Sequence, residues 1–89
     1  MSQPGITVLY FAAASTATGL TEQSVTLPAS QYPLSSLSGL LASLHPDVGL
    51  DKILESSQWS VNAEMVDNVE GVILKGGEEV AIICPVSGG

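Results

Sequence analysis

The sequence predicts an α+β domain in which one main helix packs across a mixed sheet of four or five strands. Three observations carry this expectation. The chain opens on a β-branched and aromatic run, Ile6-Thr7-Val8-Leu9-Tyr10-Phe11, and closes on an apolar one, Val80-Ala81-Ile82-Ile83-Cys84, and both read as strands. Between them one segment has clear helical spacing: Leu34, Leu37, Leu40, Leu41 and Leu44 form a single stripe. The order strand, strand, helix, strand, short piece, strand then calls for a right-handed crossover through the helix. That crossover makes the first and last strands parallel neighbours in the middle of the sheet.

Each element has its own warrant. Residues 1–5 are polar, contain Pro4-Gly5, and are expected to be loose. In the first strand Ile6, Val8 and Tyr10 share one face while Leu9 and Phe11 lie on the other. Both faces are therefore partly apolar: one turns to the core, and the other needs a cover from a neighbour or a partner. Residues 12–20 are small and polar, and are expected to form a loop containing a turn of helix. Residues 22–28 alternate Val25 and Leu27 against Ser24 and Thr26, the pattern of a half-buried strand. The first two strands should form a hairpin with a wide loop.

Residues 33–45 are the main helix. Pro33 suits its first turn, and His45-Pro46 stops it, because a residue before proline is pushed out of the α region. The outward positions are mostly serine, with Gly39, so this helix depends on its leucines packing against the sheet. Residues 47–55 are expected as a second, short helical segment with Asp47, Asp51 and Glu55 on one face. No histidine or ligand-spaced turn accompanies these carboxylates, so they read as a solvated acidic face rather than a metal site. Residues 58–63, with Trp59 and Val61, form a third strand, and Met65-Val66 extends it after a turn. A polar connection, a short apolar element at Gly71-Val72-Ile73-Leu74, and a turn at Lys75-Gly76-Gly77-Glu78 lead to the final strand. Pro85 ends its pairing, having no N–H to donate. This arrangement is the β-grasp, or ubiquitin-like, architecture. With no repeats or linkers, residues 1–89 are expected to be one domain, with residues 86–89 as a flexible tail.

Composition excludes several function classes. Nine carboxylates stand against two lysines and no arginine, a net charge of −7. Nucleic acid is excluded as a partner, because phosphate contacts need a basic face; an anionic membrane surface is disfavoured for the same reason. A basic protein partner fits, met by electrostatic steering. A single cysteine, Cys84, allows no internal disulfide and no cysteine-based metal cage, which fits a reducing cytosolic setting. A secretory signal is not expected, since the early apolar stretch has no positive n-region before it.

The usual catalytic parts are missing. The one histidine, His45, reads as a helix stop and packing residue, Cys84 as a core thiol, and Trp59 and Met65 as packing residues able to border an interface. No phosphate-cradling loop, nucleophile elbow or zinc pair is present, so neither a metal nor a bound cofactor is expected. The most suggestive reactive group is the terminal carboxylate of Gly89. Two glycines at the end bury nothing, but their thinness lets the last peptides pass through a narrow slot. Four extended residues, Val86-Ser87-Gly88-Gly89, reach at most about 13–14 Å. A carboxylate is a poor electrophile and needs activation by another protein, for instance as an acyl-adenylate made with ATP.

At this point a resemblance becomes specific. Ile6-Thr7-Val8-Leu9-Tyr10-Phe11-Ala12, Val61-Asn62, Gly77-Glu78-Glu79-Val80-Ala81 and Pro85-Val86-Ser87-Gly88-Gly89 resemble the molybdopterin synthase small-subunit family from end to end. The resemblance implies a sulfur carrier in molybdenum cofactor biosynthesis, not an enzyme on its own. Gly89 would be adenylated by an E1-like enzyme using ATP, converted to a thiocarboxylate, and inserted with Val86, Ser87 and Gly88 into the large synthase subunit. There it would give sulfur to cyclic pyranopterin monophosphate. The family assembly is a heterotetramer of two small and two large subunits, and its interface positions would fall on Phe11, Met65, Ile83 and Pro85. Two departures stand out: Cys84 occupies a position where relatives often have a second proline, and the helix is rich in serine and leucine.

Other readings share the fold and the Gly-Gly ending. A protein modifier conjugated to lysines is one, although ubiquitin carries an arginine before its two glycines where this chain has Ser87. A sulfur carrier for thiamine or tRNA thiolation is another, and a plain binding module with an inert tail is a third.

Overall fold

The computed structural model describes residues 4–84. In chain order the elements are β1 (Gly5–Tyr10), α1 (Ala12–Thr18), β2 (Glu22–Thr26), β3 (Tyr32–Pro33), α2 (Leu34–Leu44), α3 (Leu50–Ser56), β4 (Gln58–Val61), β5 (Glu64–Val66), β6 (Ile73–Leu74) and β7 (Glu79–Ile83). A 3₁₀ turn at Val69–Gly71 lies between β5 and β6. Five strands form one mixed sheet in the order β2-β1-β7-β4-β5, and β3 and β6 pair separately. β1 runs antiparallel to β2, with Ile6 opposite Val25, and parallel to β7, with Val8 opposite Val80. β7 runs antiparallel to β4, with Ile82 opposite Trp59. The first and last strands are thus central parallel neighbours, as the crossover requires, and the fold is the β-grasp.

One face of this sheet is the core. Ile6, Val8 and Tyr10 of β1 and Val80 and Ile82 of β7 are buried against Leu34, Leu37 and Leu41 of α2 and Leu50 and Leu54 of α3. Burying one such side chain is worth about 1.5–3 kcal/mol. Three buried leucines therefore outweigh the helix penalty of Gly39, about 1 kcal/mol relative to Ala. The stripe is shorter than its spacing suggests: Leu40 is only partly buried, and Leu44, at the last turn, is exposed.

Tyr10 carries a polar group into this core. Its hydroxyl donates to Gln23 Oε1 at 2.7 Å, and the His45 ring Nε2 lies 2.9 Å from the same oxygen. An amide oxygen only accepts, so Nε2 bears the proton. Burial pushes the Tyr10 phenol up to about 12. His45 is the C-cap residue of α2, as its place before proline suggests, and its ring also meets the Tyr10 ring edge-on at 5.9 Å.

Several elements differ from the sequence reading. Residues 12–18 are a helix, not a loop with one turn. Alanine is the best helix former, Ala14 is fully buried, and Gly19, at φ 74°, ends the helix in the left-handed conformation that glycine adopts freely. Pro33 is the N-cap of α2 rather than part of its first turn, and it pairs with Ile73 in the small sheet. Asp47 lies outside α3, which starts only after Gly49, so Asp51 and Glu55 alone share that helix. The lead-in is tied down: Pro4 O accepts from Leu27 N at 2.8 Å, and Gly5 O accepts from Gly77 N at 2.7 Å. The neighbouring Gly76 is required there, because a Cβ would meet that of Pro4 at 2.9 Å.

The turn before β7 is held by Glu78, whose carboxylate accepts from Lys75 N at 2.8 Å and Gly76 N at 2.7 Å. Burial pushes this carboxyl up. The amide hydrogen bonds from Lys75, Gly76 and Glu78 itself, with the Lys75 charge, outweigh burial and hold it below the ordinary value.

The β4–β5 hairpin closes through Asn62-Ala63, since Val61 lies opposite Glu64. Both turn residues have positive φ, 52° and 69°, as the favoured two-residue hairpin turn demands. Asn62 tolerates this and also grips β7: its Oδ1 accepts from Glu79 N at 3.0 Å while its N donates to Glu79 O at 2.8 Å. Ala63 has no such compensation. Ala63→Gly is expected to raise the unfolding free energy by about 0.5–1 kcal/mol, since relief of the left-handed strain exceeds the backbone entropy of glycine. The measurement is the urea midpoint at unchanged m value; a loss of stability would contradict this turn.

Candidate functional site

The three helices lie over one side of the sheet, and side chains alternate along each strand, so the opposite side can be read from the register. One row across it is Leu9 on β1, Ala81 on β7, Ser60 on β4 and Met65 on β5, each paired with the next. The adjacent row holds Ile83, opposite Gln58, with Phe11 continuing the Leu9 side of β1. Phe11 has extended backbone, φ −126° and ψ 152°, so the alternation carries through it. Among the described residues no helix covers this side. Phe11 is 48% exposed and Met65 53%, while Leu9, Ala81 and Ile83 are half-buried.

The structure therefore brings Phe11, Met65 and Ile83 onto a single open face, as expected for a surface awaiting a cover. Leu9 joins them, as the alternation of β1 predicts, and the structure adds Ala81, which the odd-numbered positions of β7 could have disclosed. Of the two residues read as packing with an interface option, Trp59 is buried on the helix side and Met65 is exposed. Pro85, Val86, Ser87, Gly88 and Gly89 lie outside the described residues, so the expected tail and its chemistry have no geometry here.

The root of the tail is described. β7 ends at Ile83, beside Phe11, and Cys84 follows. Cys84 is not a strand residue, contrary to the sequence reading, though it is buried. Its Sγ donates to Phe11 O at 3.3 Å, and Ser57 Oγ, whose one proton goes to Ile53 O, lies 3.6 Å from Sγ. The thiol thus fastens the end of β7 to the start of α1, beside the C-cap of α3. The chain enters α1 through Ala12 at φ 51°, a left-handed alanine next to the exposed Phe11, and such strain costs about 1–2 kcal/mol.

Among the described residues, no group of three or more His, Cys, Asp or Glu is placed to hold a metal ion, and no helix is long and apolar enough to cross a membrane. What the arrangement offers is a partly exposed apolar face with the end of β7 at one end of it.

Comparison with known proteins places this geometry. The ThiS family model matches residues 8–89. The molybdopterin synthase sulfur carrier subunit of Mycosarcoma maydis is 40% identical over 88 residues, covering 97% of this chain and 95% of the relative. SAMP1 from Haloferax volcanii superposes with a TM-score of 0.79 at 20% identity, covering 96% of this chain and 99% of that one. A chain from the complex of subunits 1 and 2 of molybdopterin-converting factor from Helicobacter pylori 26695 superposes with a TM-score of 0.66 at 21% identity, covering 96% and 99%. The last two likenesses speak to the fold.

If the open face is not part of the core, its residues add little to folding. Met65→Ala is expected to change the unfolding free energy by no more than about 0.5 kcal/mol, whereas Ile82→Ala, on the helix side, should cost about 2–5 kcal/mol. Chemical denaturation of the two variants tests this; equal losses would place Met65 in the core.

Proposed function

The chain belongs to the ThiS family, and we propose from that premise that it is the sulfur carrier subunit of a molybdopterin synthase. The observation that carries the proposal is the pairing of its likeness to carrier subunits with the position of the tail root. β7, the strand between β1 and β4, leads through Cys84 directly into Pro85-Val86-Ser87-Gly88-Gly89, and it does so at the Phe11 end of the open apolar face. A partner seated on Phe11, Ile83 and Met65 therefore receives the tail at its own surface.

In this reading residues 1–89 are one domain, whose folded body serves as a handle and whose residues 86–89 are the arm. The Gly89 carboxylate is ionised at neutral pH, its reference value being about 3.3–3.7, and attack on it is slow until it is activated. An E1-like partner supplies ATP: a carboxylate oxygen attacks the α-phosphorus, pyrophosphate leaves, and a glycyl adenylate forms. Hydrosulfide from a sulfur donor then attacks the acyl carbon and displaces AMP, so that the terminal carbon gains a C–S bond in place of the activated C–O bond and the proton is lost to solvent. The resulting thiocarboxylate enters the large synthase subunit, where its sulfur displaces an oxygen substituent from a carbon of cyclic pyranopterin monophosphate and water cleaves the acyl C–S bond, returning the Gly89 carboxylate. The carrier holds no cofactor and performs no catalysis by itself. Two carriers and two large subunits form the working assembly, in the cytosol.

The slot must be narrow and the reach exact to within about an ångström, since a misplacement of about 1 Å can cost about 100-fold in rate. Deleting Gly89 retracts the terminal carbonyl by about 3.3–3.6 Å. The shortened chain is expected to lose sulfur transfer to the pterin substrate by at least about 100-fold while its thermal unfolding midpoint stays unchanged. Transfer at the full-length rate by the shortened chain would overturn the carrier mechanism.

A further inference from the structure

A groove of about 450 Å³ opens against β5, the edge strand of the sheet. Its apolar lining comes from Val61, Met65, Val66 and Val72, and its charged lining from Glu64 and Asp67. Both carboxylates are exposed. The two lining asparagines spend their side-chain oxygens on the backbone, Asn62 on Glu79 N and Asn68 on Glu70 N. Neither of the chain's lysines, Lys52 and Lys75, lines the groove. Among the described residues neither carboxylate thus has a basic side chain beside it in the groove, and a basic group of another molecule would complement the pair.

Met65 belongs both to this groove and to the open face, so the groove continues that face around the sheet edge. A partner large enough to cover Met65 meets Glu64 and Asp67 at its rim. We propose that the groove receives a lysine- or arginine-bearing loop of the large synthase subunit, making the β5 edge a second, electrostatic contact beside the apolar one. The proposal rests on the carrier reading and adds to it the chemistry of the docking partner. Its effect falls mainly on encounter: complementary charges at an interface rim raise the association rate and make it salt-dependent, whereas desolvated apolar contacts govern dissociation.

The test is the association rate of the full-length chain with the large subunit across a salt series. It compares the wild type with a Glu64→Gln, Asp67→Asn double variant, which keeps shape and removes charge. Glu22→Gln, on the opposite edge strand β2, is the control. The double variant is expected to associate about tenfold more slowly at low salt and to show a flatter salt dependence, with Glu22→Gln unchanged. An unchanged rate and salt slope in the double variant, with the wild type binding normally, would overturn the groove proposal and leave the carrier reading intact. The groove proposal is equally overturned if the double variant slows binding only to the activating enzyme, or only self-association. Failure of the wild-type chain to bind the large subunit at any salt would overturn both.

Discussion

The placement of β7 between β1 and β4 is the constraint on which the rest of the molecule depends. Its two ladders, parallel to β1 and antiparallel to β4, join the ends of the described chain and close the sheet at its centre. Bringing such distant segments together costs loop-closure entropy, and the return is a row of fully buried side chains: Val8 and Tyr10 beside Val80 and Ile82. α2 and α3 lie over that row because their leucines have no other apolar surface to meet. The Asn62 bridge to Glu79 and the Glu78 turn both act at the start of β7, fixing its register before the strand runs into the core.

Two functional properties follow from the same placement. With all three helices on one side, the opposite side carries an apolar patch at the Phe11 end, formed by the half-buried Leu9, Ala81 and Ile83 and the exposed Phe11 and Met65, while Thr7 and Glu79 make its other end polar. A central last strand also means that the described chain ends at the middle of the sheet rather than at a corner. Cys84 holds that end by donating to Phe11 O while packed beside Ser57. In the proposed reading this is how a body with no catalytic groups of its own presents a reactive end: the face docks, the root is fixed, and the reach is set by the few residues beyond.

Much of this is legible in the amino-acid order. The β-branched runs mark β1 and β7, the leucine spacing marks α2, and the crossover rule places the two strands side by side. The partly apolar outward face of β1 announces the need for a cover. What stays hidden is set by tertiary context. α1 is built from small residues that make no hydrophobic stripe, and only Ala14 buried against the core and the glycine stop reveal it. The small β3–β6 sheet is too short to show a period. Ala63 at positive φ goes against its own preference, held there by the pairing on either side. Asp47 reads onto α3 because the spacing of three carboxylates matches a helix, yet that helix begins only after Gly49. The Gln23 bridge between Tyr10 and His45 joins residues far apart in the chain, and the lining of the β5 groove combines the β4–β5 hairpin with Val72 from beyond the 3₁₀ turn. Gly88-Gly89 is legible as a motif alone.

The central claim is that the final carbonyl is the working atom and the folded body its handle. The most direct measurement is the intact mass of the full-length chain after incubation with its activating enzyme, ATP and a sulfur donor. Replacement of one terminal oxygen by sulfur adds about 16 Da, localised by fragmentation to Gly89. That shift, lost when ATP is withheld, is the predicted result; an unchanged mass under conditions where a known carrier is converted, or a sulfur adduct on Cys84 in place of Gly89, would contradict the account.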